Sequence, residues 1–138
     1  MQSSWWADFR TMAGYEHFGA ILRDRNAIVG GAVVMKLAYT PQHCFYYIPE
    51  GPVLPDDASI AGEVFEAILA AVEQRRKAEK QTVSHLRMEP RWQHLPDFVQ
   101  GFRAVSALTD DFTEPRNTLC IDLRPSEAAI LSQMKPKG

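Results

Sequence analysis

The stretch Tyr47-Ile48-Pro49-Glu50-Gly51-Pro52-Val53-Leu54 joins an aromatic, strand-forming run to a turn punctuated by two prolines and a glycine. Each proline fixes φ at about −65° and removes an amide donor, so a central strand has to stop here. Gly51 can adopt backbone angles closed to other residues. Alone, such a cluster is an ordinary strand-ending turn; beside the neighbouring segments it reads as the edge of a binding site.

On the N-terminal side, His43 to Ile48 is an aromatic-rich strand. Ala27 to Leu37 and Phe18 to Arg23 read as two antiparallel strands joined by Asp24-Arg25-Asn26. The strand Ala27 to Leu37 is nearly continuous in apolar residues and is expected to be buried on both sides, and Gly30-Gly31 predicts a bulge or a close backbone approach. Ser3 or Ser4 can cap an opening helix in which Trp5, Phe9 and Met12 fall at i, i+4 and i+7, with Gly14 as its stop. Trp6, read as a core residue, shares a neighbouring face with Arg10.

On the C-terminal side, Ile60 to Lys80 places Ile60, Val64, Phe65, Ile68, Leu69 and Val72 at helical spacing. Its acidic residues precede its basic ones, which suits the helix dipole, and Glu73 with Lys77 makes an i, i+4 pair. Arg75-Arg76-Lys77 reads as a solvated helix end. Val83 to Met88 is a short strand closed by Glu89-Pro90, and Trp92 to Gln100 is expected to be a short helix. Asn117 to Leu123 alternates as a strand, and Ser126 caps a last helix through Met134 that must end before Pro136. The whole, 1–138, is expected to be one α/β domain with a mixed sheet.

A chain of 138 residues buries about two-thirds of its unfolded surface, enough for a core. With 46% hydrophobic residues it is not a disordered chain. A net charge of −2 offers no general attraction to nucleic acid, and no DNA partner is expected. Cys44 and Cys120 lie in apolar, strand-like runs and read as small buried hydrophobes in a reducing compartment. There is no leader pattern, and no apolar run approaches the roughly 18–20 residues of a membrane span. A cytoplasmic chain without membrane insertion is expected. The histidines, His17, His43, His85 and His94, are not spaced with a carboxylate or thiolate as metal ligands, and no nucleophile motif is present. Neither Arg10-Thr11-Met12-Ala13-Gly14 nor Gly30-Gly31 has the spacing of a pyrophosphate-cradling turn that opens a helix, so no acyl-CoA or other cofactor is expected.

Six segments in order carry a family resemblance: Gln2-Ser3-Ser4-Trp5-Trp6-Ala7-Asp8-Phe9-Arg10, the Tyr47 to Leu54 turn, Leu86-Arg87-Met88-Glu89-Pro90, Gly101-Phe102-Arg103, Pro115-Arg116-Asn117-Thr118-Leu119 with Ile121-Asp122-Leu123, and Met134-Lys135-Pro136-Lys137. Over nearly the whole chain this resembles the first half of the FemABX family, the non-ribosomal peptidyltransferases of cell-wall biogenesis that add amino acids to peptidoglycan precursors. The resemblance implies a GNAT-like acyltransferase fold, with one such half here and a second following it in the family. It implies a uridine-diphosphate-linked or lipid-linked muramyl peptide as partner of this half, and an aminoacyl-tRNA handled largely by the other.

Position by position, the resemblance places Arg10 at the basic residue of the first helix that contacts the diphosphate, where the family often has lysine. Glu89 falls at the acidic residue near the peptide acceptor, able to orient or deprotonate the attacking amine; it can equally pair with Arg87 or Arg103. Tyr47 with the turn containing Pro49, Gly51 and Pro52 would line the sugar and peptide groove together with Arg87, while Arg116 and Asn117 would support the seam between halves. Two expectations follow from different classes. One is the precursor-binding half of an aminoacyltransferase, silent by itself and prone to self-association through the surface meant for its other half. The other is a stand-alone binding or assembly module that keeps the fold without activity.

Overall fold

A computed structural model describes residues 1–102 and 122–133 of the chain. Its elements in order are α1 (Ser4–Met12), β1 (Glu16–Asp24), β2 (Ala27–Ala38), β3 (His43–Pro49), α2 (Ala58–Lys77), β4 (Thr82–Glu89) and α3 (Glu127–Gln133). The strands form a four-stranded sheet in the order β1-β2-β3-β4. The pairs β1–β2 and β2–β3 are antiparallel and β3–β4 is parallel, so the sheet is mixed and α+β in character. Parallel pairing requires a crossover, and α2 supplies it. Contacts cluster in two compact units, Met1–Ala104 and Val105–Gly138. In the second, α3 is capped by Ser126, whose Oγ accepts from Ala129 N–H at 3.4 Å.

Alternation of side chains sorts the sheet into two faces. Ala20, Ala32, Val34, Tyr46 and Ile48 meet Val64, Ile68 and Val72 of α2 in one buried cluster, with Phe18, Leu22, Leu86 and Met88 around it. Each fully buried aliphatic there is worth about 1.5–3 kcal/mol. Asp57 caps α2 by accepting from Ser59 and Ile60 N–H, and Glu73 forms the expected pair with Lys77 at 4.0 Å and a closer one with Arg76 at 2.6 Å. On the other face α1 lies against β1, its Thr11 hydroxyl 2.8 Å from His17 Nδ1.

Both expectations for Gly30-Gly31 are met. Leu22 pairs with Gly30 and Arg23 with Ile28, leaving Val29 as an extra, bulged residue. Gly31 then exchanges hydrogen bonds with the backbone of Val53, at 3.0 and 2.9 Å. A Cβ on Gly30 would stand 2.6 Å from Val64 Cγ1, which is why helix and strand can approach there.

The middle of β2 is buried on both faces, by Val34 on one and Met35 on the other, while Ala27, Ile28 and Ala38 at its ends are exposed. The Trp5, Phe9 and Met12 stripe faces outward, and Ala7 is the residue α1 buries. Two expectations are corrected. Helix α2 ends at Lys77, with Lys80 beyond it. No helix forms over 92–100: Pro96 lacks the amide a helix needs, and Trp92, Phe98 and Phe102 instead gather around Phe65 of α2, with centroids 6.2, 5.6 and 6.0 Å from its ring. The strand expected at Asn117 to Leu123 lies outside the described residues except at its end, as do Cys120, Arg103, Arg116, Asn117 and Met134. Cys44 is a buried free thiol.

Candidate functional site

Parallel pairing of β3 with β4 sets Tyr47 beside Arg87 and Pro49 beside Glu89. Residues two apart on a strand share a face, so Tyr47, Arg87 and Glu89 converge on the side of the sheet away from α2. Both carboxylate oxygens of Glu89 are engaged. Oε1 accepts from Arg87, at 2.9 Å from Nε and 2.6 Å from Nη2, and Oε2 accepts from the Tyr47 hydroxyl at 2.9 Å. The alternative reading of Glu89 as an ion-pair partner of Arg87 is therefore present in the structure. Tyr47 is buried, and Arg87 and Glu89 are largely covered.

The Pro-Gly-Pro turn is held from the N-terminus of the chain. Continuing the β2–β3 register two residues beyond Met35 and Tyr47 brings Val33 opposite Pro49, which has no N–H to give. The Gln2 side-chain amide fills the gap. Its Oε1 accepts from Val33 N–H at 2.6 Å, and its Nε2 donates to Pro49 C=O at 2.5 Å with a longer approach to Val33 C=O at 3.5 Å. Gly51 makes room for it, since a Cβ there would stand 2.6 Å from Gln2 Cδ. The unusual backbone angle expected of Gly51 belongs instead to Glu50, at φ 50°. Pro49, Gly51 and Pro52 are buried, so the turn packs inward instead of lining an open groove. Glu50 carries the Met1 amine at 3.3 Å and the Arg91 guanidinium. Chiefly through Arg91, its carboxyl is held below the usual range.

Arg10 stands on α1. Its guanidinium carbon lies 4.0 Å from the Tyr15 ring centroid and 5.4 Å from that of Trp6, a cation–π clamp that fixes the side chain without satisfying its donors. The Nε atom is buried and has no hydrogen-bond partner. The structure thus brings together Tyr47, Arg87 and Glu89, binds Pro49 and Gly51 to Gln2, and places Arg10 on a separate helix.

Sequence reasoning assigned Gln2 no role, although a glutamine in a motif shared with a proline turn was the available signal. It also missed an open cleft of about 420 Å³ between α2 and β4, lined by Tyr46, Leu69, Arg76, Val83 and His85 among others, on the opposite face from Glu89. Among the described residues no three His, Cys, Asp or Glu side chains converge as metal ligands, and no helix is long and apolar enough to cross a membrane.

No family model matches the chain. No curated protein matches it. Among solved structures it is similar to one described as "Crystal structure of FemX", at 23% identity and a TM-score of 0.48, in a match covering 58% of this chain and 19% of that one.

Proposed function

We propose that this chain is the precursor-binding half of a FemABX-type aminoacyltransferase with a GNAT-like fold. In this reading it holds a muramyl peptide on its diphosphate while an amino acid is joined to the stem peptide. The observation that carries the reading is Arg10. Its guanidinium is held against the Trp6 and Tyr15 rings, and a side chain so positioned can offer its terminal N–H groups to a phosphate, where charge-assisted bonds contribute about 1.5–3 kcal/mol. The six ordered segments, and three antiparallel strands followed by a helix and a parallel strand, support the same reading.

In the reaction, the acceptor amine attacks the ester carbonyl of an aminoacyl-tRNA, the amide bond forms, and the tRNA hydroxyl leaves with the proton the amine gives up. The ester is already activated, so the demand on the protein is positioning and oxyanion stabilisation. Glu89 would orient the amine. Taking its proton would require exchange of the Tyr47 hydroxyl for the substrate, because both oxygens already accept.

The burial of Tyr47, Pro49, Gly51 and Pro52 favours a second reading in which this segment is structural and the chain is a binding or assembly module. Calorimetric titration with UDP-N-acetylmuramoyl-pentapeptide separates the two. Saturable binding at about −4 kcal/mol or better, abolished in Arg10→Ala, is the expected result. Absence of binding by folded protein favours the module.

A further inference from the structure

On the side facing β3, strand β2 changes partner along its length. It pairs with β3 from Met35 with Tyr47 to Ala38 with Cys44, and nearer its start Gly31 pairs with Val53, which follows the Pro-Gly-Pro turn. Between those contacts Val33 faces Pro49. A hydrogen-bonded antiparallel pair needs an N–H and a C=O from each residue, and Pro49 has only the C=O. The Gln2 carboxamide takes the place of the missing peptide group, with Oε1 2.6 Å from Val33 N and Nε2 2.5 Å from Pro49 O.

Room for the carboxamide comes from Gly51. A Cβ there would lie 2.6, 2.8 and 2.9 Å from Cδ, Nε2 and Cγ of Gln2, so no larger residue fits while Gln2 is seated. On the other edge of β3, Pro49 pairs with Glu89 and Tyr47 with Arg87 in the parallel ladder, and the Tyr47 hydroxyl donates to Glu89 Oε2 at 2.9 Å. Pro49 thus stands between the Gln2 amide and the backbone of Glu89.

We propose that Gln2 is a positioning residue of the candidate site. By clamping Pro49 to Val33 through the space left at Gly51, it sets where the end of β3 lies, and with it the placement of Glu89 relative to Tyr47. A site's side chains are held only as well as the backbone that carries them. Without the carboxamide, Val33 N–H and Pro49 C=O, both part-buried, need water in its place, and the strand end moves to admit it. What binds at the site rests on the function proposed above; the placement of Glu89 does not.

The test compares the full chain with three variants. Gln2→Met keeps an unbranched side chain of similar length and loses the amide. Gly51→Ala keeps Gln2 and fills its space. Val72→Ala removes core volume on α2 and is the control for lost stability. Carbon-13 NMR reads Tyr47 Cζ and Glu89 Cδ at a temperature where circular dichroism finds every sample folded. Both resonances are expected to move in Gln2→Met and Gly51→Ala and to keep their parent positions in Val72→Ala. Resonances unmoved by Gln2→Met, or moved as far by Val72→Ala, overturn the proposal and leave Gln2 a brace for stability alone. Calorimetric titration with UDP-N-acetylmuramoyl-pentapeptide adds the functional arm: Kd is expected to be about tenfold or more higher in Gln2→Met and unchanged in Val72→Ala. Equal binding by parent and Gln2→Met counts against positioning. A parent that binds no precursor counts against the proposed function instead, and the resonances still decide the role of Gln2.

Discussion

Two residues bear more of this structure than their sequence positions suggest. Gln2 supplies, from outside the sheet, the donor and acceptor that Val33 and Pro49 cannot give each other. Gln2→Ala leaves those backbone groups part-buried and unpaired, at a cost of about 1–3 kcal/mol, and Gln2→Glu is expected to fare no better because a carboxylate cannot donate to Pro49 C=O. Urea denaturation midpoints check both. Lys36 is the other. It interrupts the apolar run of β2, its side chain is only 10% exposed, and its ammonium lies 3.1 Å from Glu16 and 3.1 Å from Glu79, whose side chain is 7% exposed. Burial works against the charge on Lys36, but hydrogen bonds to Glu79 and Glu16 outweigh it and raise its pKa above the ordinary 10.5. Burial likewise pushes Glu79 up, yet the Lys36 hydrogen bond, the Lys80 amide and nearby charges bring it below 4.5. The lowered carboxylate therefore adds stability above pH 4.5 that is lost as pH falls through its folded value, and the raised ammonium adds stability that is lost only above pH 10.5. Glu79→Gln should cost about 3 kcal/mol at neutral pH and flatten the acid limb of a stability-versus-pH curve; an unchanged acid limb would count against the network.

Elements were legible where periodicity alone decides them. The 3.6-residue stripe of α2 and the apolar and aromatic runs of β1, β3 and β4 feed a single core, so sequence and structure coincide within a few residues. Periodicity fails where a pattern has no partner to face. Trp5, Phe9 and Met12 repeat as a core stripe would, and nothing in their spacing says which side of α1 meets the sheet. The segment at 92–100 looked helical by composition, but its aromatics serve Phe65 better from an irregular chain. For the candidate site, the convergence of Arg87 with Glu89 was legible because two residues on one strand face must meet. The Tyr47 hydroxyl on the same carboxylate was not, since it depends on the register of a parallel pair. Two glycines test the packing of α2 in opposite directions. Gly62 lies inside the helix, and a Cβ there meets Phe98 at an ordinary 3.4 Å, so Gly62→Ala should stabilise by about 0.5–1 kcal/mol. Gly30→Ala drives a methyl against Val64 and the Val53 carbonyl and should destabilise by about 1–3 kcal/mol. Thermal midpoints moving the same way in both variants would contradict this account of the helix–sheet contact.

At the scale of the molecule, among the described residues the buried cluster and its surrounding side chains run from Phe18 to Met88, inside the unit Met1–Ala104. Aromatic packing on Phe65 extends that unit to Phe102, and the Gln2 brace and Met1 amine close its other end. By contrast α3 has no buried residue. Folding free energy comes from area removed from water, and among the described residues that apolar burial belongs to the first unit. A chain ended after Ala104 is therefore expected to keep its far-ultraviolet dichroism signal for α2 and the sheet, and to melt in one transition within a few degrees of the parent. A broad, non-cooperative melt would mean that residues 105–138 complete the core. Because Tyr47, Arg87, Glu89 and Arg10 all fall within the first unit, the same shortened chain should bind the muramyl precursor as the parent does. Binding lost while the melt is preserved would assign part of the ligand site to the second unit.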